Sequence, residues 1–254
     1  MGVATLRKSE VACLRRGIEL GMRHIDTAEM YGNGAAEELI AEAIAGVPRE
    51  TLFLVSKVLP QNATYRGTLA ACEASLRRLK VDYLDAYLLH WRGRHPLGET
   101  LRALEELVDA GKIRALGVSN FDAADLREAL GLLERHPMAC NQVLYHLEER
   151  APEQELLDVC LENQIALVGY SPFGTQGFPA STSPGGRVLA EVAARQGAGV
   201  TARQVALAFL VRREPLFAIP KASTLAHVEE NAAAAALALG DEDLAAIDAA
   251  FSVD

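Results

Sequence analysis

Several things are scarce in this chain of 254 residues, and each scarcity narrows the reading. There are four cysteines, at positions 13, 72, 140 and 160. None forms a C-x-x-C pair, and no Cys/His spacing suggests zinc, so no metal is expected and the thiols read as reduced core residues. Basic residues are outnumbered, 25 Lys and Arg against 34 Asp and Glu, leaving a formal net charge of −9. Nucleic acid and anionic membranes reward clustered Lys and Arg, so neither is expected as a partner. There is no apolar run long enough to span a bilayer and no charged-then-apolar leader, so the expected location is cytoplasmic. No G-x-G-x-x-G follows a strand-like run, which removes the usual signature of a Rossmann dinucleotide site. Tryptophan occurs once, at Trp91.

What is present is a rhythm. Short β-branched runs at residues 23–28, 52–58, 83–90, 115–119, 139–145, 165–170 and 216–220 read as strands. Between them lie helical patterns at 35–45, 65–79, 99–110, 123–133, 152–164, 188–196 and 201–212, with further ones at 8–20 and 241–251. Thr201 and Gln204 resemble a capping box. The unit recurs at about 30 residues, the signature of βα units building a parallel sheet covered by helices on both faces. No shift in composition marks a boundary, so residues 1–254 are expected to form one α/β barrel domain. Seven strands are visible, one short of a closed eight-stranded barrel. The stretch 171–187, rich in Pro, Gly and Ser, has the length of an active-site lid.

Four chemistry-bearing residues fall at strand ends. Asp26 and Tyr31 lie in Asp26-Thr27-Ala28-Glu29-Met30-Tyr31-Gly32-Asn33, Lys57 ends the second strand and His90 the third. In a βα barrel these ends form the catalytic face. Singly, each has an ordinary reading: Asp26 as a helix cap or turn residue, Tyr31 as a loop aromatic, Lys57 as a surface residue, His90 as a satisfied core histidine. Together they are coherent. A free phenol has a pKa of about 10, and a nearby ammonium is expected to lower it. Lowering it to about 7–8 requires roughly 3–4 kcal/mol of differential stabilisation. Asp26 would hold Lys57 charged and oriented, and His90 could donate to a substrate oxygen. The set suits protonation of an oxyanion as it forms.

These motifs resemble those of the aldo-keto reductases. D-T-A-x-x-Y-G-N, the S-K-V strand end and L-L-H-W occur here in that family's order. Gly117-Val118-Ser119-Asn120-Phe121, Asn141-Gln142, Gly169-Tyr170-Ser171-Pro172 and Ile219-Pro220-Lys221 continue the match over nearly the whole chain. The resemblance implies a TIM (β/α)8-type barrel that binds NADP(H) and reduces small aldehydes or ketones. It implies Tyr31 as general acid, supported by Lys57, Asp26 and His90. Ser119, Asn120 and Gln142 would hydrogen-bond the nicotinamide carboxamide, and Tyr170 would stack on the nicotinamide ring. Ser171 and the segment from Gly174 to Gly177 would lie against the pyrophosphate. Ser119-Asn120 also reads as a helix cap, and both roles are compatible. The resemblance further implies a monomer rather than an oligomer.

Three departures from the family pattern set further expectations. Ala222 stands where the family usually has Ser, and His227 where it has an Arg for the adenosine 2′-phosphate, while Lys221, Ser223, Thr224 and Asn231 remain. An imidazole with a pKa of about 6.5 is only partly charged at neutral pH and lacks the bidentate fork of Arg. NADPH binding that weakens as pH rises, with some use of NAD(H), is therefore expected. The family's first barrel strand is not visible before Met1-Gly2. The chain stops at Val253-Asp254, where longer members carry a tail over the substrate, so an open pocket bounded by Met30, Trp91 and the 171–187 loop is expected; Trp91 equally reads as core packing. Two other functions remain open: a Schiff-base aldolase using Lys57, and a cofactor-binding regulatory protein with little turnover.

Overall fold

The computed structural model describes residues 8–252. The chain start at Met1-Gly2 and the end at Val253-Asp254 lie outside the described residues. Among the described residues seven strands run β1 (His24–Asp26), β2 (Phe53–Val58), β3 (Leu84–Leu89), β4 (Ile113–Ser119), β5 (Met138–Leu144), β6 (Ala166–Tyr170) and β7 (Leu216–Ala218). They form one sheet in simple chain order, every neighbouring pair parallel. Among the described residues the sheet has seven strands, and no pairing joins β7 back to β1.

Among the described residues ten α-helices accompany the strands: α1 (Lys8–Glu19), α2 (Ala35–Ala43), α3 (Tyr65–Leu79), α4 (Leu97–Asp109), α5 (Ala123–Leu132), α6 (Glu155–Glu162), α7 (Pro184–Gln196), α8 (Ala202–Leu210), α9 (Leu225–Ala233) and α10 (Asp241–Ala250). Their starts follow local chemistry. Thr64, Asp122, Ser183 and Thr201 each place a side-chain oxygen on a backbone N–H of the first turn, and the Thr201/Gln204 capping box is complete. Among the described residues no helix is long and apolar enough to cross a membrane.

Two corrections concern helices. The sequence reading starts one helix at residue 188, but α7 begins at Pro184. Proline suits a first helical position because its missing N–H would be unpaired there anyway. The glycine at 186 has a packing reason: a Cβ there would sit 2.0 Å from the Ala180 carbonyl oxygen. The loop after β6 is accordingly shorter than 171–187 and covers residues 171–183. The second correction is α9, which the sequence reading treats only as a run of ligand residues. Its signal is Thr224, whose Oγ1 accepts from the His227 N–H and caps the helix.

Register explains where the site sits. Successive side chains in a strand face opposite sides of the sheet. Asp26 pairs with Val55, Lys57 with Leu88, Leu88 with Gly117, Ser119 with Gln142, and Gln142 with Val168. Stepping by two from these partners puts Asp26, Lys57, Ser119, Gln142 and Tyr170 on the inner face. That face is lined below by a small apolar cluster of Val55, Ala86, Leu88, Cys140, Val168 and Ile219. The outward residues, among them Leu54, Val58, Tyr87, Leu89, Leu116, Val118 and Leu167, enter the much larger core beneath the helices. All four cysteines are buried free thiols, as the composition suggests.

Candidate active site

Residues at or just after the C-terminal ends of β1 and of β3 to β7 surround a cavity of about 550 Å³. Its wall includes Asp26, Met30, Tyr31, His90, Trp91, Ser119, Asn120, Gln142, Tyr170, Ser171, Gly174 and Lys221. Twelve of the residues expected from the sequence therefore converge on one space. Pro172 and Ile219, both within the quoted motifs, and Phe173, which had not been singled out, complete the wall. Phe173 follows the Ser-Pro turn, which was its one sequence signal.

Beneath the cavity floor lies an ion pair. Lys57 is 0% exposed, and its Nζ donates to Asp26 Oδ1 at 2.5 Å and to the Thr27 carbonyl at 2.8 Å. Asp26 Oδ2 accepts from Gln142 Nε2 at 2.7 Å. The ammonium lies 5.5 Å from the centroid of the Tyr31 ring. Tyr31 meets His90 edge-on, with centroids 5.7 Å apart, and His90 packs against Trp91 at 4.8 Å. The backbone turn after β1 brings Tyr31 over this pair: Glu29 accepts from the Leu59 N–H at 2.6 Å and from Asn62 at 3.0 Å. That contact ties the loop to the segment after β2.

The electrostatics correct one expectation. Burial pushes the Tyr31 phenol well above its ordinary range, and the Asp26 carboxylate adds to the push. The paired Lys57 does not reverse this, because Asp26 at hydrogen-bond distance largely cancels the ammonium's field at the phenol. Tyr31 therefore keeps its proton. His90 is pushed down to about 4, by burial first and by Lys57 second, so its ring is neutral at physiological pH. Its Nδ1 is buried without a partner.

The opposite wall is a hydrogen-bonded run. Ser119 Oγ donates to the Gln142 carbonyl at 2.7 Å, Asn120 Nδ2 to the His90 carbonyl at 2.9 Å, and Tyr170 OH to Asn120 Oδ1 at 2.9 Å. Asn120 and Ser171 both adopt positive φ, of 60° and 53°. Such conformations are uncommon outside glycine and concentrate at ligand-binding positions. Gln142 lines the cavity while its Nε2 donates to Asp26.

Five expected residues do not line this cavity: Lys57, buried beneath its floor, and four from the α9 region. Ser223 and Thr224 stand at the start of α9, and His227 is exposed on it. Asn231 is buried, both its amide atoms lack partners, and it borders a second cavity of about 520 Å³ beside β1 and β7. The donor set suits a nicotinamide dinucleotide. It offers a half-buried aromatic ring at Tyr170, an unpartnered imidazole nitrogen, an orphaned buried amide and a cation at Lys221, which also pairs with Glu10 at 3.2 Å. Among the described residues no group of three His, Cys, Asp or Glu is placed to hold a metal.

Comparison with known proteins gives a consistent picture. A profile of the aldo/keto reductase family matches residues 4–251. The chain is 47% identical over 248 residues to methylglyoxal reductase YeaE of Escherichia coli (strain K12), covering 98% of this chain and 86% of that protein. It is 40% identical over 238 residues to glyoxal reductase of Bacillus subtilis (strain 168), covering 93% and 81%. Its fold is similar to the crystal structure of an aldo-keto reductase from Klebsiella pneumoniae in complex with NADPH. There the TM-score is 0.90, the identity 43%, and the coverage 99% of this chain and 89% of that one.

Proposed function

The chain belongs to the aldo/keto reductase family, and on that premise we propose how its residues divide the work of NADPH-dependent carbonyl reduction. The enzyme uses NADP(H) and reduces small aldehydes and ketones to alcohols. When bound, NADPH supplies a hydride to the carbonyl carbon.

Tyr31 donates the proton to the carbonyl oxygen. It enters the reaction fully protonated, because burial raises its pKa. An alkoxide is a stronger base than a phenolate, so the proton still moves downhill once hydride addition begins. Neutral His90 lies against the Tyr31 ring and offers a ring nitrogen to the same oxygen, fixing its orientation. Lys57, anchored by Asp26 and Thr27, faces the Tyr31 ring, and its charge keeps the Asp26 carboxylate from opposing the phenolate that proton transfer leaves. Ser119, Asn120 and Gln142 hold the carboxamide edge of the nicotinamide, and Tyr170 its face. Ser171, Gly174 and Lys221 serve the phosphates; Ser223, Thr224, His227 and Asn231 serve the adenosine end. Met30 and Trp91, both partly exposed at the mouth, contact the substrate.

The observation that carries this reading is that Asp26, Tyr31 and His90 line one cavity while Lys57 is paired with Asp26 beneath its floor. The burial of Lys57 and its 2.5 Å pairing oppose an imine-forming role, since an ammonium so held has no free lone pair to attack a carbonyl. Among carbonyls, the names of the relatives point to methylglyoxal and glyoxal as first substrates. A panel of oxoaldehydes, simple aldehydes and ketones, followed by NADPH absorbance, tests the reading; NADPH binding without reduction of any panel member would overturn it.

The same panel run with both cofactors tests the adenosine end. An exposed imidazole at 227 lacks the bidentate fork of Arg, so NADPH should be preferred over NADH without excluding it, and no turnover with NADH would refute that role. The reading also carries a cytoplasmic monomer made of one domain, for which sizing of the purified chain is the check.

A further inference from the structure

The loop 171–183 joins β6 to α7 and forms one wall of the cavity through Ser171, Phe173 and Gly174. Gly174 has φ +87°, and a Cβ there would meet the Gly177 carbonyl oxygen at 2.4 Å, so the loop is folded tightly on itself. What holds it down is an arginine from another element. The Arg203 guanidinium lies 3.9 Å from the Phe173 ring centroid and 5.2 Å from that of Phe178. The two rings meet edge-on at 6.0 Å. Phe178 packs against the main core, whereas Phe173 faces the cavity. Arg203 therefore joins a half-buried ring packed against the core to a ring on the wall.

The ordinary reasons for an arginine do not apply at this position. The other cations around the site have carboxylate partners: Lys57 has Asp26, Lys221 has Glu10, and Arg92 has Asp125 and Glu128. Arg203 pairs with no carboxylate among the described residues, and its Nε is buried without a partner. It is the second residue of α8, the end where the helix dipole disfavours positive charge. The aromatic rings are the contacts that give the cation a role.

We propose that Arg203 is a positioning residue for the dinucleotide: by stacking on Phe173 and Phe178 it pins the 171–183 loop and sets how fast NADP(H) is released. This rests on the cofactor reading above. Lifting the loop requires the guanidinium to leave one or both rings. A lysine cannot replace it in full, because an ammonium lacks the planar stacking surface. From the usual strength of cation–π contacts, losing the stack should speed release roughly three- to thirtyfold.

The test is NADPH release by stopped flow, read as energy transfer from Trp91, the single tryptophan, which lies at the cavity. Arg203→Met should raise the release rate roughly three- to thirtyfold, by a larger factor than any change in carbonyl KM. Arg203→Lys, which keeps the charge and is the gentler change for folding, should raise it by a smaller factor, at least about twofold. Arg203→Met combined with Phe173→Leu should release NADPH no faster than the faster single variant, because both remove one stack. Unchanged release in both arginine variants, or effects that simply multiply in the double variant, would overturn the proposal while leaving the cofactor reading in place. Failure of the unaltered chain to bind NADPH would overturn both.

Discussion

The buried Lys57–Asp26 pair offers a sharp separation of stability from chemistry. The two groups are 2.5 Å apart with side-chain exposures of 0% and 3%. At an effective dielectric of about 20 their attraction is roughly 6–7 kcal/mol, but desolvating two ions costs several kcal/mol each. The pair as a whole should therefore contribute little net stability, whereas removing one partner should be expensive. Asp26→Asn keeps the shape and an acceptor for Gln142 Nε2, yet leaves the Lys57 ammonium with no compensating charge. We expect a loss of about 3–5 kcal/mol, seen as a fall in Tm of about 6–20 °C for a chain of this size. Lys57→Met strands the carboxylate and should cost a similar amount. The double variant Asp26→Asn/Lys57→Met carries no buried charge and should recover at least about 2 kcal/mol of the summed loss. All three should lose turnover. Differential scanning calorimetry on the four proteins, with NADPH-linked assays on the same samples, decides it. If the double variant loses as much as the two singles added together, the pair is not coupled as described. If the double variant turns over normally, its chemical role is refuted.

The other predictions are narrower. Because burial raises Tyr31 and lowers His90 to about 4, neither changes charge near neutrality, so kcat/KM for the carbonyl at saturating NADPH should be flat from roughly pH 6 to 9; a limb near pH 7 would contradict the assignment of protonation states. His24 is also lowered to about 4, chiefly by burial. An unfolded histidine titrates near 6.5, so between about 6.5 and 4 the unfolded chain binds protons that the fold refuses, and stability should fall as pH falls through that window; His24→Gln should flatten the decline of Tm, and an unaltered slope would remove His24 as its cause. Gly186→Ala would force a Cβ to 2.0 Å from the Ala180 carbonyl and should cost about 1–3 kcal/mol, whereas an unchanged melt would show that the turn relaxes freely.

Much of this was legible in the sequence, because the periodicities that set the fold are local. The seven strand runs fall within three residues of the observed ends, and the period-2 alternation places Asp26, Lys57, Ser119, Gln142 and Tyr170 on one face once the register is known. What was not legible depends on distant parts of the chain. Gln142 bonds Asp26 across 116 positions, and no local pattern announces it. The direction of the Tyr31 shift turned on how deeply the ring is buried and on how fully Asp26 offsets Lys57, neither of which spacing reveals. The stretch 225–233 looked like a string of ligand residues because its alanines give a weak apolar stripe; Val228 and Asn231, both buried, make it a helix packed against α1 and α8. Phe173 and Arg203 meet only because α8 returns beside the loop after β6.

The central claim is that the Tyr31 hydroxyl delivers the proton, and Tyr31→Phe tests it most directly. The substitution removes one oxygen and keeps the ring that packs on His90. With NADPH affinity and Tm measured alongside turnover of an oxoaldehyde, the account predicts affinity within about twofold of the unaltered chain and turnover reduced by roughly 10²–10⁴-fold. Turnover of Tyr31→Phe at the level of the unaltered enzyme would contradict it.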